Sequence, residues 1–270
     1  MITRRHALGV LAGAALAPGG ALANVAPPRS EIRDDLAKLF ADAGTTGTFV
    51  GYKVEDYLLI SSDSMRSGQP KLPASTFKIP NSLIALETGV VGDPDKDVFK
   101  WDGVKHDNEA WNKDHTLRSA IAVSAFPVYQ EIARRIGEER MQKYVNLLDY
   151  GNHNIGGGID QFWVRGEMRI DPVQQIDFLD RLRRRTLPVA KRSQDLVVEI
   201  LPVTQVGDAV IRAKTGLTDH EHGSLGWLVG WAEKGGTDTV FALNLDVREP
   251  RHVADRMTLS QACLKAIGAI

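Results

Sequence analysis

The β-forming sequence of this chain stands at its two ends. Residues 47–54 and 57–61 are short apolar runs rich in β-branched and aromatic side chains, and Glu55-Asp56 between them marks a hairpin turn. Comparable runs return only at 209–214, 226–233 and 239–246. Between them, over about 73–201, the signals are helical: 75–88 closed by Gly89, 117–123, 127–136 closed by Gly137, 139–148, 172–185 and 193–200. The pattern predicts an α+β fold in which both chain ends build one antiparallel sheet flanked by helices, with a mostly helical subdomain at about 73–201 packed beside it. A helix at 31–43, with Ser30 as its N-cap, and another at about 254–267 complete the flanks. No internal repeat or linker divides residues 24–270, which read as one domain.

A chain of 270 residues with this apolar content can bury a proper core. Its net charge of −1, without long basic or acidic runs, gives no reason to expect nucleic acid or a membrane surface as partner, and no protein partner is implied. The single Cys263 cannot close an intrachain disulfide and reads as a small buried apolar residue. At the N-terminus, Arg4-Arg5, the apolar run 7–17, Pro18 and Ala21-Leu22-Ala23 have the parts of a secretory leader, residues 1–23, cleaved after Ala23. Thr3-Arg4-Arg5 suits either the general secretory or the twin-arginine route. The run is too short and proline-broken for a span, so the mature chain is expected to be periplasmic or secreted.

The chemistry begins at Ser75 and Lys78, a hydroxyl and an amine one helical turn apart at the head of an apolar helix. Backbone N–H groups at such a helix start can hold the negative charge that develops when the serine attacks a carbonyl. The S-x-x-K spacing alone is common. Lys214-Thr215-Gly216 is either a cleft edge offering a cation and a hydroxyl to a carboxylate, or an ordinary strand end. Ser124 supplies a second hydroxyl, suited to passing a proton. Tyr150-Gly151-Asn152 ahead of Gly156-Gly157-Gly158 is either a helix C-cap or a loop that brings backbone close to a ligand. His220-Glu221-His222 has alternation suited to zinc, but no other histidine or cysteine cluster accompanies it. No metal is therefore expected, and 219–224 reads as an exposed loop after the K-T-G strand that shapes which substrate side chains fit.

In this order, these elements resemble the class D serine β-lactamases, the oxacillinases, over nearly all of residues 24–270. The resemblance rests on 73–87, Trp101-Asp102-Gly103, Trp111-Asn112, Ser124 with Pro127-Val128-Tyr129-Gln130, Tyr150-Gly151-Asn152, 158–163, Lys214-Thr215-Gly216, Gly230-Trp231, and Asn244-Leu245-Asp246 followed by Arg256. It implies a β-lactamase/penicillin-binding-protein-like fold and hydrolysis of β-lactam antibiotics through an acyl-enzyme on Ser75. It also implies a carbamate derived from carbon dioxide on Lys78 as the base of both half-reactions, with no other cofactor. By the same resemblance Trp163 holds the carbamate, and the backbone N–H groups of Ser75 and Leu217 form the oxyanion hole. Lys214, Thr215, Gly216 and Arg256 receive the substrate carboxylate, while Arg248 and Arg251 read as solvated charges. The chain departs from the family at Phe126, where S-x-V is usual; a ring there presses on whatever covers the Lys78 amine. Sensor domains and transpeptidases that use the same serine and lysine are the competing readings, separated by whether turnover continues past a stoichiometric burst.

Overall fold

The computed structural model describes residues 28–220 and 223–270; the expected leader at 1–23, Glu221 and His222 lie outside them. In chain order the elements are β1 (Arg29–Ile32), α1 (Asp34–Asp42), β2 (Gly47–Lys53), β3 (Leu58–Ser61), α2 (Ser64–Ser67), α3 (Lys78–Glu87), α4 (Leu117–Ala122), α5 (Phe126–Ile136) and α6 (Glu138–Leu147). They continue with α7 (Pro172–Arg183), α8 (Lys191–Ile200), β4 (Val203–Val206), β5 (Ala209–His220), β6 (Gly223–Lys234), β7 (Thr237–Val247) and α9 (His252–Ala266). The two chain ends meet where β2 runs antiparallel to β7, from Gly47 opposite Leu245 to Lys53 opposite Thr239. One sheet results, ordered β1-β3-β2-β7-β6-β5-β4.

Alternation along the central strands sends side chains to two cores. Val240 and Ala242 of β7, with Trp227, Val229 and Trp231 of β6, pack on the helical insertion; Phe241, Leu243 and Leu245 pack with Leu36, Phe40 and Cys263 under α1 and α9. Both faces are covered, which is why these strands read as continuous apolar runs. Burial pushes the Cys263 thiol up to about 12, as befits a core residue. Among the described residues, no helix is long and apolar enough to cross a membrane.

Three features depart from the sequence expectation. Residues 29–32 form an exposed edge strand parallel to β3, so Ser30 is in a strand and α1 starts at Asp34. Four exposed residues lack the apolar alternation that marks a strand. The other edge strand, β4, was equally silent for the same reason. The K-T-G segment does not end its strand: β5 continues to His220, paired with β6 along its length. Finally, the expected helix 75–88 divides into a 3₁₀ turn, Ala74–Phe77, and the α-helix α3. The ring of Pro80 would collide with the Thr76 carbonyl if α geometry ran through both residues, so the preceding turn tightens.

Candidate active site

That tight turn presents Ser75. Side chains three apart eclipse one another in a 3₁₀ turn, and Lys78 Nζ donates to Ser75 Oγ at 2.8 Å. Helix α3 is buried from Lys78 to Leu86, packed among α5, α6 and α8 of the insertion, and the amine at its head is only 1% exposed. The backbone before Ser75 is tied down: Ala74 takes φ 50°, and its N–H donates to the Trp163 carbonyl at 2.9 Å. A non-glycine residue in the left-handed region costs about 1–3 kcal/mol and is kept only where its surroundings enforce it. Ser124 has the same conformation, φ 58°, in the turn between α4 and α5. The Trp111 indole pins that turn by donating to the Val123 carbonyl at 3.0 Å.

A cleft of about 560 Å³ opens over these residues. Of the residues singled out from sequence, Ser75, Ser124, Phe126, Thr215, Leu217 and Arg256 line it. Lys78, Trp163 and Lys214 are buried behind that lining. Lys214 Nζ donates to Ser124 Oγ at 3.0 Å, to the Thr215 carbonyl at 3.1 Å and to Thr215 Oγ1 at 3.3 Å, so it braces the two hydroxyls from behind. Arg256 donates to the Gly216 carbonyl at 2.6 Å and the Val253 carbonyl at 2.7 Å. Arg248 and Arg251 bind other partners outside the cleft: Arg248 donates to Thr46 and Arg251 to Glu249.

The electrostatics are those of cations buried without a carboxylate. Desolvation first, then the neighbouring Lys214, hold the Lys78 amine well below its ordinary value. Burial first, then Arg256, bring Lys214 down to about 7. Aromatic faces do not replace an anion. The Lys78 amine is 5.1 Å from the Tyr129 ring centroid and 5.7 Å from that of Phe126, and cation–π attraction offsets only part of the desolvation. Phe126 therefore covers Lys78, as its departure from the usual valine suggested; Tyr129, seen in the sequence only as part of a motif, is the nearer ring. The Trp163 indole N–H, fully buried, has no hydrogen-bond partner among the described residues. Its ring stacks on Phe77 at 5.6 Å and meets Phe126 edge-on at 6.1 Å.

Two motifs act through the scaffold. Tyr150 packs between Phe77 and Phe178, and Gly151 passes so close to the Arg169 carbonyl that a Cβ would lie 2.3 Å from it. The glycines at 156–157 approach Gly166, folding the loop that delivers Trp163. Backbone is thus brought close to backbone there, and residues 150–158 are not part of the cleft lining. Asn244 and Asp246 accept from Arg66 at 2.7 and 2.8 Å, a partner with no signature of its own in the sequence. Asn108, Trp111, Val164, Arg165 and Thr218 line the cleft without having been assigned a role from sequence. Only Trp111 and Val164, being apolar beside recognised motifs, carried a signal that could have placed them.

Gly216 brings β5 against the Ser75 turn: a Cβ there would meet Trp227 Cβ at 3.1 Å and both the Pro73 carbonyl and Thr76 Cγ2 at 3.2 Å. Gly216→Ala must displace that turn by a few tenths of an ångström. We expect kcat/KM to fall about tenfold, since reacting groups tolerate little misplacement, with the thermal midpoint lowered by only about a few degrees. Unchanged kinetics would show that the turn absorbs the methyl without moving Ser75.

Comparison with known proteins agrees with this geometry. Residues 48–267 match the penicillin binding protein transpeptidase domain family. The chain is 42% identical over 245 residues to β-lactamase OXA-5 of Pseudomonas aeruginosa, covering 88% of this chain and 91% of that one. With β-lactamase OXA-48 of Klebsiella pneumoniae it shares 42% identity over 228 residues, 84% of each chain. Among solved structures, the class D β-lactamase FUS-1 (OXA-85) of Fusobacterium nucleatum subsp. polymorphum superposes with a TM-score of 0.85 at 34% identity, covering 89% of this chain and 100% of that one. The class D β-lactamase YbXI from Nostoc gives 0.84 at 38% identity, with the same coverage. A serine hydrogen-bonded by a buried lysine, on this fold and with these relatives, places the chain in the class D serine β-lactamases, hydrolases of the β-lactam ring.

Proposed function

We propose that this β-lactamase works through an acyl-enzyme on Ser75 with Lys78 carboxylated by carbon dioxide. The observation that carries the reading is the surroundings of the Lys78 amine: 2.8 Å from Ser75 Oγ, fully buried, pushed toward neutrality by desolvation, and in an aromatic pocket whose Trp163 N–H is unpartnered among the described residues. A neutral amine can react with carbon dioxide, and an indole N–H, a donor only, fits an added anionic oxygen. Bound there, the carbamate supplies an anionic oxygen base on a long stem, available to both half-reactions.

The remaining roles belong to the chain's own side chains. Ser75 Oγ gives up its proton on the Lys78 side and bonds to the lactam carbonyl carbon. The carbonyl oxygen takes up negative charge toward the backbone N–H groups of Ser75 and Leu217. The C–N bond then breaks, and the ring nitrogen takes a proton by way of Ser124, whose hydroxyl Lys214 holds at 3.0 Å. Thr215 and Arg256, both in the cleft, receive the substrate carboxylate, and Lys214 behind them adds its field and steadies the hydroxyls. Water enters after acylation, and the same base activates it to release the product. The test is ¹³C NMR in ¹³C-bicarbonate. A carbamate resonance should be present in the wild type and absent in Lys78→Ala; a wild-type spectrum without it would remove the carbamate from the mechanism.

The same reading includes export. The enzyme is proposed to reach the periplasm or medium after losing residues 1–23, so the N-terminal sequence of the exported protein should begin at Asn24. Recovery of the uncut chain in the cytoplasm alone would refute this.

A further inference from the structure

The cleft lining contains two guanidinium groups, Arg165 and Arg256, and among the described residues no carboxylate. Arg256 spends Nε and Nη1 on two backbone carbonyls, which fixes it in place with the rest of its guanidinium left for the ring carboxylate. Arg165 is exposed and, among the described residues, its side chain has no hydrogen-bond or ion-pair partner. It is nonetheless carried on a fixed backbone. Its N–H donates to the Gln161 carbonyl at 3.0 Å, the preceding Val164 carbonyl accepts from the Thr218 hydroxyl at 2.8 Å, and the following Gly166 is so closely packed that a Cβ would lie 2.3 Å from the Gly156 carbonyl. Two residues earlier, Trp163 is tied through its own carbonyl to Ala74, next to the nucleophile.

The two cations enter the cleft from opposite sides. Arg256 comes from α9, whose Leu259, Cys263 and Leu264 belong to the core under one face of the sheet; Arg165 follows Phe162 and Trp163, which belong to the core under the other. One substrate carboxylate occupies one of them. An uncommitted guanidinium on a rigid base, in a cleft whose described lining holds no counter-charge, matches a second carboxylate or sulfonate, which it can bind with two parallel N–H donors.

We propose that Arg165 is a specificity-determining residue that takes an anionic group on the acyl side chain of the substrate, so that this enzyme favours penicillins carrying a second acid. The proposal rests on the β-lactamase activity and on Arg256 receiving the ring carboxylate. The discriminating pair is benzylpenicillin and its α-carboxylated counterpart, carbenicillin, which differ by that acid alone. The quantity to read is the ratio of their kcat/KM values. In Arg165→Gln the ratio of carbenicillin to benzylpenicillin should fall about tenfold, through KM for carbenicillin more than through kcat, as expected for loss of one charge-assisted contact. Arg165→Glu should lower it further, and Arg165→Lys should restore part of it. Raising the salt concentration should lower the wild-type ratio and leave that of Arg165→Gln nearly flat. A ratio that stays within about twofold across all the variants would overturn the proposal and leave Arg165 as part of the rim. Failure of the hydrolase reading itself would look different, since wild-type turnover of benzylpenicillin would then be missing.

Discussion

Lys78→Ala should stop turnover while leaving the protein folded, with kcat lowered by at least about a thousandfold, the upper part of the range for losing a positioned general base. Among the described residues, no second side-chain base is hydrogen-bonded to Ser75. Ser75 Oγ is hydrogen-bonded by Lys78 Nζ, while Lys214, which can accept a proton only in its neutral form, gives its bonds to Ser124 and Thr215. The fold should survive because the amine contributes little to it: burying this polar group costs desolvation that its removal relieves, and what is lost is the packing of the methylene stem. Lys78→Met separates the two effects. It refills the space with an unbranched apolar chain and should recover thermal stability lost in Lys78→Ala, with no recovery of kcat. Acylation itself should slow, so a chromogenic cephalosporin ought to give neither burst nor steady state on the wild-type timescale. Wild-type hydrolysis by either variant would show that the base lies elsewhere.

Much of this site was legible because its chemistry demands fixed residue types at fixed spacings. The serine and lysine three apart, the second serine, the K-T-G triplet and Arg256 could each be named from the chain, and the helical middle between two β-rich ends told which sheet would carry them. Depth was not legible. Lys214 and Thr215 are neighbours, yet strand alternation and the pairing of β5 with β6 put the first behind the cleft and the second in its wall. Spacing also missed how the site is held. The left-handed φ of Ala74 and Ser124, the Trp111 to Val123 hydrogen bond and the Arg66 contacts to Asn244 and Asp246 join residues far apart in sequence, and none has a local signature. The edge strands β1 and β4 were missed for a related reason. Their membership in the sheet comes from backbone pairing with a neighbour, while their side chains remain largely exposed.

Trp163→Phe should convert the enzyme into one that depends on added bicarbonate, with activity in carbon-dioxide-depleted buffer lowered by roughly a hundredfold and largely recovered when bicarbonate is supplied. The size follows from losing one buried hydrogen bond to an anion, about 1.5–3 kcal/mol, or roughly one to two powers of ten in carbamate occupancy. Phenylalanine is the informative replacement because it keeps a ring against Phe77 and Phe162 while deleting the N–H. Trp163→Ala should show the same bicarbonate response on a protein less stable by about 3–5 kcal/mol, the usual cost of emptying an aromatic core position. The sign of the pH dependence follows from Lys78. Only its neutral amine adds carbon dioxide, and acid protonates that amine, so bicarbonate should rescue less as pH falls and more as it rises. Lys214 turns this into a coupled response. Burial and the neighbouring Arg256 disfavour charge on Lys214, whereas an anion in the Lys78 pocket would favour it, so loading Lys78 should raise the Lys214 amine from about 7 and keep the brace on Ser124 protonated at neutral pH. Bicarbonate would then restore the base and the proton donor together, and the rescued Trp163→Phe enzyme should regain the alkaline limb of its pH–rate profile as well as its rate. Rescue of rate with an unchanged alkaline limb would separate the two lysines, and no response to bicarbonate in either Trp163 variant would count against carboxylation altogether.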